Sequence, residues 1–237
     1  MCESATRLVV LSGEAGAGKD AVARILVEEH GWVSHSLSGP MKRFMADLMG
    51  FTDDQLYGAS KFRNEPDPRW ARPCDRCEGT GNNYARKELS DEVYVIPSGC
   101  PFCEGTGKIN DNSPRRILQL MGEEFLRQMV HPDVLTMRAA PEIEDLLRQG
   151  RGVVVNDARN PNDRDNLHRW LGGHRVAVRT NRVKPITGDN AWRLHASEQR
   201  QAEDKDLEYV LHQEDDRWPF PDLPGKVEAM LRELQLL

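Results

Sequence analysis

No stretch of this chain is apolar over the ~20 residues that a membrane-crossing helix needs, so no membrane span is expected. Positive charge is not in excess either: 38 acidic residues face 32 basic ones, for a net charge of −6. That removes the general electrostatic grip on phosphate backbones, and no nucleic-acid partner is expected beyond a local basic face. Residues 1–7 lack the basic, apolar and small-residue order of a secretory leader, which predicts a cytoplasmic protein. Disulfide chemistry is not expected in such a compartment, and four of the five cysteines fall into two C-x-x-C pairs, a pattern that points to metal. What is present is a chain of 237 residues, 38% hydrophobic and 30% charged, long enough for one α/β domain with an insertion.

The order of patterns along the chain is strand, loop, helix, repeated. Leu8-Val9-Val10-Leu11 reads as a buried parallel strand, and a helix follows from about Lys19 to His30 with Gly31 as its stop. Trp32 to Leu37 alternates as a second strand, and Pro40 opens a helix carrying Met41, Phe44, Met45 and Leu48. Residues 61–73 hold three prolines among charges and are expected as loop. Ser113-Pro114 starts a helix running through Phe125, and Pro132 and Pro141 are expected to start further helical pieces. Val153-Val154-Val155 is a third buried strand, followed by a helix over 162–171, a strand over 175–178, a weaker strand at 209–211 and a last helix over 225–236. Strands alternating with helices imply a parallel sheet covered on both faces.

Gly13-Glu14-Ala15-Gly16-Ala17-Gly18-Lys19-Asp20 matches the phosphate-loop pattern G-x-x-x-x-G-K, placed between a predicted strand and a predicted helix. The glycines let backbone N–H groups turn inward on phosphate oxygens, and the helix start adds partial positive charge. Lys19 would reach the β- and γ-phosphates. Gly13, Ala15, Gly16, Ala17, Gly18, Lys19 and Asp20 are therefore the candidate nucleotide-binding residues. Asp20 stands where Ser or Thr is usual; its carboxylate is a hard oxygen donor suited to Mg²⁺, and a loop that binds without catalysing is the alternative.

Further residues carry a family resemblance. Gly18-Lys19-Asp20 followed by Leu37-Ser38-Gly39-Pro40-Met41-Lys42 resembles the bacteriophage deoxynucleoside monophosphate kinases, an opening shared by phosphomevalonate kinases of the same superfamily. Arg115, Leu118, Gln119 and Gly122, with Glu124 and Arg127, resemble that family's central helix. Val155-Asn156-Asp157-Ala158-Arg159 with Asn162 resembles its strand-end element, and His195-x-Ser197-Glu198 its late element. Three departures stand out: Asn160 where an aromatic is usual, Glu123 where Thr is usual, and His212-Gln213-Glu214 in place of an Asn-Asp-Gly type turn. The last two bear on the choice of nucleobase or acceptor.

The resemblance implies an α/β fold of the P-loop nucleoside monophosphate kinase type, three layers around a parallel sheet. Its core would be residues 1–70 and 110–237, with an insertion over 71–109 and a lid over 180–204. It implies transfer of the γ-phosphate of ATP to a (deoxy)nucleoside 5′-monophosphate, with Mg²⁺, and the host cytoplasm if the source is viral. Lys42 and Arg115 would hold the acceptor phosphate, with Gln119 beside the acceptor and Arg127 supporting that pocket. Asp157 would join the Mg²⁺ shell, Arg159 would face a phosphate, and Arg179 and Arg182 would contact the triphosphate from the lid. Lys19, Arg115, Asp157 and Arg159 are thus the candidate catalytic residues. Plain alternatives stay open: Lys42 and Arg127 as solvated helix residues, and Asp157 paired with Arg159. A kinase of another small phosphate, or a zinc-containing nucleotide-binding regulator, are the rival functions. Small nucleotides are the expected partners, and a homodimer is left open.

The cysteine segment is the chain's internal repeat. Cys74-Asp75-Arg76-Cys77-Glu78-Gly79-Thr80-Gly81 recurs as Cys100-Pro101-Phe102-Cys103-Glu104-Gly105-Thr106-Gly107. It resembles the zinc repeats of J-protein chaperones. Two thiolate pairs make a tetrahedral S₄ site for structural Zn²⁺ on Cys74, Cys77, Cys100 and Cys103, with iron as the minor alternative.

Overall fold

In the computed structural model, β1 (Leu8–Ser12) is buried at every residue, as its apolar run Leu8–Leu11 requires of a strand covered on both faces; the buried Ser12 hydroxyl donates to the Val176 carbonyl at 3.4 Å. The structure describes residues 6–14, 16–89, 92–110, 112–180, 206–213 and 221–237. They form two units, residues 1–43 with 119–237 and residues 44–118.

The first unit is built on a five-stranded sheet in the order Val33–His35, Val153–Val155, Leu8–Ser12, His174–Thr180, Tyr209–Gln213, that is β2-β7-β1-β8-β9. Every neighbouring pair is parallel. Alternate residues of β1, Val9 and Leu11, enter one core with Val22, Ile25 and Leu26 of α1 (Lys19–Glu28) and Val227, Met230 and Leu231 of α8 (Leu223–Glu233). Helices α6 (Val134–Arg148) and α7 (Pro161–Leu171) pack together, and α7 lies against β1 and β8. The buried residues Leu26, Ile143, Leu167 and Met230 mark how each of these helices turns an apolar face inward.

Local rules account for most boundaries. Helix α7 opens on a capping box between Asn160 and Asp163 with Pro161 in its first turn, and closes on Gly172 in the left-handed region, φ 67°. The helix expected to start anew at Pro141 does not: α6 runs straight through that proline. A proline inside a helix costs roughly 3 kcal/mol, and burial of Leu135, Ala139 and Ile143 on one face offsets it.

The second unit holds the end of α2 (Gly39–Met49), α3 (Asp53–Tyr57), α4 (Ser60–Asn64), a 3-10 turn at Pro68–Trp70, and strands β3 (Arg72–Pro73), β4 (Asn82–Leu89), β5 (Glu92–Gly99) and β6 (Lys108–Ile109). Residues 61–73, expected as loop, thus contain a short helix and a turn. Thr52 and Gln55 cap α3 reciprocally, and Asp67 caps the 3-10 turn. The cysteine segment, residues 71–109, lies within this unit: β3 pairs with β6 and β4 with β5, both antiparallel. Helix α5 (Pro114–Gln119) begins beneath a Ser113 cap and is continued by Leu120–Val130 as a wider π-helix, a rare form whose last turn shows in the bond from the His131 N–H to the Leu126 carbonyl, 2.9 Å.

Candidate active site and metal centre

Strands β1 and β7 lie side by side and parallel, so the segments that follow them emerge at one edge of the sheet. After β1 the chain turns through Gly13, Gly16 and Gly18, at φ 126°, 86° and 100°. Gly13 is demanded by space as well: a Cβ there would lie 2.1 Å from the Val178 carbonyl oxygen. Lys19 opens α1 and folds back over its own loop, its Nζ donating to the carbonyls of Gly13 (2.5 Å) and Glu14 (2.9 Å). Burial lowers its pKa to about 8, and the Arg159 charge lowers it too, while Asp20, Glu14 and Asp157 pull the other way. A helix start, a turned backbone and an ammonium group in one place form a site for a polyanion.

The two residues after β7 serve different neighbours. The Asn156 side-chain amide donates to Asp20 Oδ1 at 2.7 Å, which aims an exposed carboxylate at the head of α1. Asp157 turns to the segment between β2 and α2. Its Oδ1 accepts the Leu37 N–H (2.8 Å); its Oδ2 accepts the Ser36 hydroxyl (2.6 Å), the Ser38 hydroxyl (2.6 Å) and the Ser38 N–H (3.0 Å). Burial alone would raise its pKa, but these bonds hold it below the ordinary carboxylate value. Among the described residues its hydrogen-bond partners are therefore Ser36, Leu37 and Ser38, not Arg159.

Lys42 sits half-buried one turn into α2, its N–H bonded to the Ser38 carbonyl at 3.1 Å. Arg179 is exposed near the end of β8, next to the Val178 carbonyl that abuts Gly13. Arg115 and Gln119 are four apart on α5 and both buried. Arg127 is buried in an ion pair: its Nη2 donates to Asp163 Oδ2 and its Nη1 to the Pro132 carbonyl, both at 2.9 Å. Burial pushes the Asp163 carboxyl up to about 6 against the pull of Arg127. Ala15, Arg182, His195, Ser197 and Glu198, and with them residues 181–204 of the expected lid, lie outside the described residues.

Sequence reasoning passed over Ser36, and it quoted Ser38 and Asn156 within family motifs without giving either a role. A hydroxyl on either side of Leu37, just before Gly39-Pro40, was the available signal. Two departures from the resemblance also meet: the Asn160 amide reaches Glu123 Oε2 at 3.5 Å, both residues buried.

The four cysteines converge within the second unit. Their sulfurs all lie within 4.8 Å of one another, with Cys74 and Cys100 3.9 Å apart and Cys77 and Cys103 3.7 Å apart. A tetrahedral ion with metal–sulfur bonds of about 2.3 Å sets its sulfurs about 3.8 Å apart. The two turns are related by an approximate dyad. Gly81 and Gly107 donate their N–H groups to Cys77 Sγ (3.2 Å) and Cys103 Sγ (3.3 Å), and the Cys74 and Cys100 N–H groups bond to the Gly107 and Gly81 carbonyls. Burial raises the Cys74 thiol to about 11, whereas at Cys103 burial is outweighed by the Gly107 N–H and neighbouring thiols, which bring it down to about 7. The donor set, four sulfurs with no oxygen or nitrogen, fits a closed structural metal site.

No protein-family model matches the chain. It is similar to a putative deoxynucleotide monophosphate kinase of Acanthamoeba polyphaga mimivirus, 24% identical over 180 residues that cover 72% of each chain. It is also similar to the deoxynucleoside-5'-monophosphate kinase of Escherichia phage T5, 26% identical over 185 residues, 66% of this chain and 69% of that one. Among the described residues no helix is long and apolar enough to cross a membrane.

Proposed function

We propose that the protein is an ATP-dependent kinase that phosphorylates a nucleoside 5′-monophosphate, preferably deoxy, to the diphosphate. The observation that carries this reading is the corner at the ends of β1 and β7. Lys19 heads α1 over a loop of three positive-φ glycines, within electrostatic reach of Arg159, Asp20 and Asp157. The similarity to two viral kinases supports the same chemistry.

Phosphoryl transfer passes through a transition state with charge spread over the moving oxygens, so positioning and positive charge do most of the work. The N–H groups of the Gly13–Lys19 turn would cradle the donor phosphates. Lys19 would exchange its bonds to the Gly13 and Glu14 carbonyls for phosphate oxygens, which raises its pKa again and keeps it charged. Arg159 would share that charge. Asp20, held by Asn156, would be the oxygen donor for Mg²⁺, which would supply charge neutralisation at the donor phosphates. The acceptor phosphate is already anionic, so no strong general base is needed. Lys42, Arg115 and Gln119 are assigned to the acceptor, Arg by its two-pronged grip on phosphate and Gln by its paired donor and acceptor. Arg179 and Arg182 are assigned to the triphosphate. The cysteine cluster is assigned one structural Zn²⁺.

The test is a panel of ribo- and deoxynucleoside monophosphates with ATP and Mg²⁺, read by ADP release and diphosphate product. Phosphorylation of a non-nucleotide phosphate alone would leave the chemistry and overturn the acceptor. Nucleotide binding without any transfer would favour a regulator.

A further inference from the structure

For Asp157 the sequence resemblance and the geometry give different roles. The resemblance places it in the magnesium shell. In the structure both of its oxygens are engaged by four donors, at 2.6, 2.6, 2.8 and 3.0 Å. An ionised carboxylate offers about four acceptor positions, so a metal ion would have to displace donors that are themselves ordered backbone and side-chain groups. Hydrogen bonds to an ionised acceptor are also the stronger kind.

What these bonds hold is the connection from β2 into α2. The Ser36 carbonyl accepts the Gly39 N–H at 3.4 Å, and the Ser38 carbonyl accepts the Lys42 N–H at 3.1 Å. A carboxylate at the end of β7 thereby sets where α2 begins, and with it the backbone of Lys42. In the same corner a second carboxylate, Asp20, is exposed and is aimed by Asn156. Two consecutive residues at one strand end divide the tasks, as their opposite directions allow.

We propose that Asp157 is a positioning residue for the acceptor side, acting through Ser36 and Ser38 on the start of α2 and on Lys42, and is not a ligand of the nucleotide's magnesium. The proposal rests on the kinase reading above. It makes Ser36 and Ser38 part of the machinery and leaves Asp20 as the metal-directed carboxylate.

The experiment compares Asp157→Asn, Ser38→Ala and Asp20→Ala in the full, zinc-loaded chain. Acceptor KM, kcat and the magnesium concentration for half-activation are measured. ADP affinity with and without Mg²⁺ is measured by calorimetry, which needs no turnover. Asp157→Asn and Ser38→Ala are expected to raise acceptor KM about tenfold while leaving half-activation by magnesium within about twofold. Asp20→Ala is expected to show the reverse. Loss of the magnesium enhancement of ADP affinity in Asp157→Asn, with acceptor KM unchanged, overturns the proposal and leaves the kinase reading standing. Should Asp157→Asn fail to fold, Ser36→Ala and Ser38→Ala keep the carboxylate and carry the test; an unchanged acceptor KM in both overturns it. Should the wild-type protein phosphorylate no acceptor, the kinase reading and the acceptor-side half of the proposal fall together, and calorimetry decides the other half: magnesium enhancement retained in Asp157→Asn upholds that Asp157 is not a metal ligand, and its loss overturns that as well.

Discussion

Lys19 is held between burial, which drives its proton off, and the anion it is placed to meet. In the free protein it loses charge as pH rises through about 8. Bound phosphate needs the charged form, so ADP affinity is expected to fall above about pH 8, the binding then having to restore the proton. Calorimetry at several pH values checks this; a flat profile in the wild-type protein would show that Lys19 does not meet the phosphates. Lys19→Met should keep the fold and lose transfer, mostly in kcat, because the ammonium meets charge that shifts during reaction. Near-normal turnover in that variant ends the kinase reading. Asp20→Ala should raise the magnesium requirement and Asp20→Ser should recover part of it, since both native types offer oxygen to the ion. At this scale the glycine loop was legible because its residues are contiguous. The partners of Asp20 and Asp157 were not, because Asn156 and Ser36 are distant in the chain from the groups they bind.

Between elements, the bond from the π-helix to α7 is the clearest energetic case. Arg127→Met would leave Asp163 buried without its partner, at an expected cost of about 3–5 kcal/mol near neutral pH. The sign with pH follows from the Asp163 carboxyl, raised to about 6 in the fold against an ordinary 3.8. A raised carboxyl favours the folded state at low pH, and that contribution is lost as pH rises from the unfolded value through the folded one. The variant should therefore lose less stability at about pH 5 than near neutral pH, by urea denaturation at both; equal losses would show that Asp163 is not the stranded charge. The resemblance implies Arg127 as a support for the acceptor pocket; in the structure it bonds to Asp163 and the Pro132 carbonyl and lies 4.0 Å from Glu123. In the cysteine segment one structural zinc per chain is the expected content; chelation or Cys74→Ser with Cys103→Ser should abolish it and lower stability more than the chemical step, since metal binding by such a segment would contribute folding energy. Elemental analysis finding full metal in that variant would refute the four-sulfur site.

For the whole molecule, a net charge of −6 predicts no measurable binding to duplex DNA near physiological salt, checked by gel shift or anisotropy. Tight binding there would favour the regulator reading over the kinase. The alternation of strand and helix announced the parallel sheet, because every strand buried on both faces must read as an apolar run and every crossover needs a helix. The repeat announced the four-cysteine cluster for a similar reason: one turn supplies two thiols, so each half of the cluster is local in sequence.

Sequence by itself determined the sheet's parallel character, the glycine loop and the two halves of the cysteine cluster, all properties of short contiguous patterns. Tertiary structure alone decided the strand order β2-β7-β1-β8-β9, which sets β7 beside β1 and so brings Asn156 to Asp20. It also decided the burial of Arg127 against Asp163 and the meeting of Glu123 with Asn160, and it carried α6 through Pro141. The physical reason is the same throughout. A backbone conformation is chosen by neighbours within a turn or two, whereas the partner of a polar group is whatever distant group the packed layers place opposite it, and a bond between residues 36, 37 or 136 positions apart leaves no local trace.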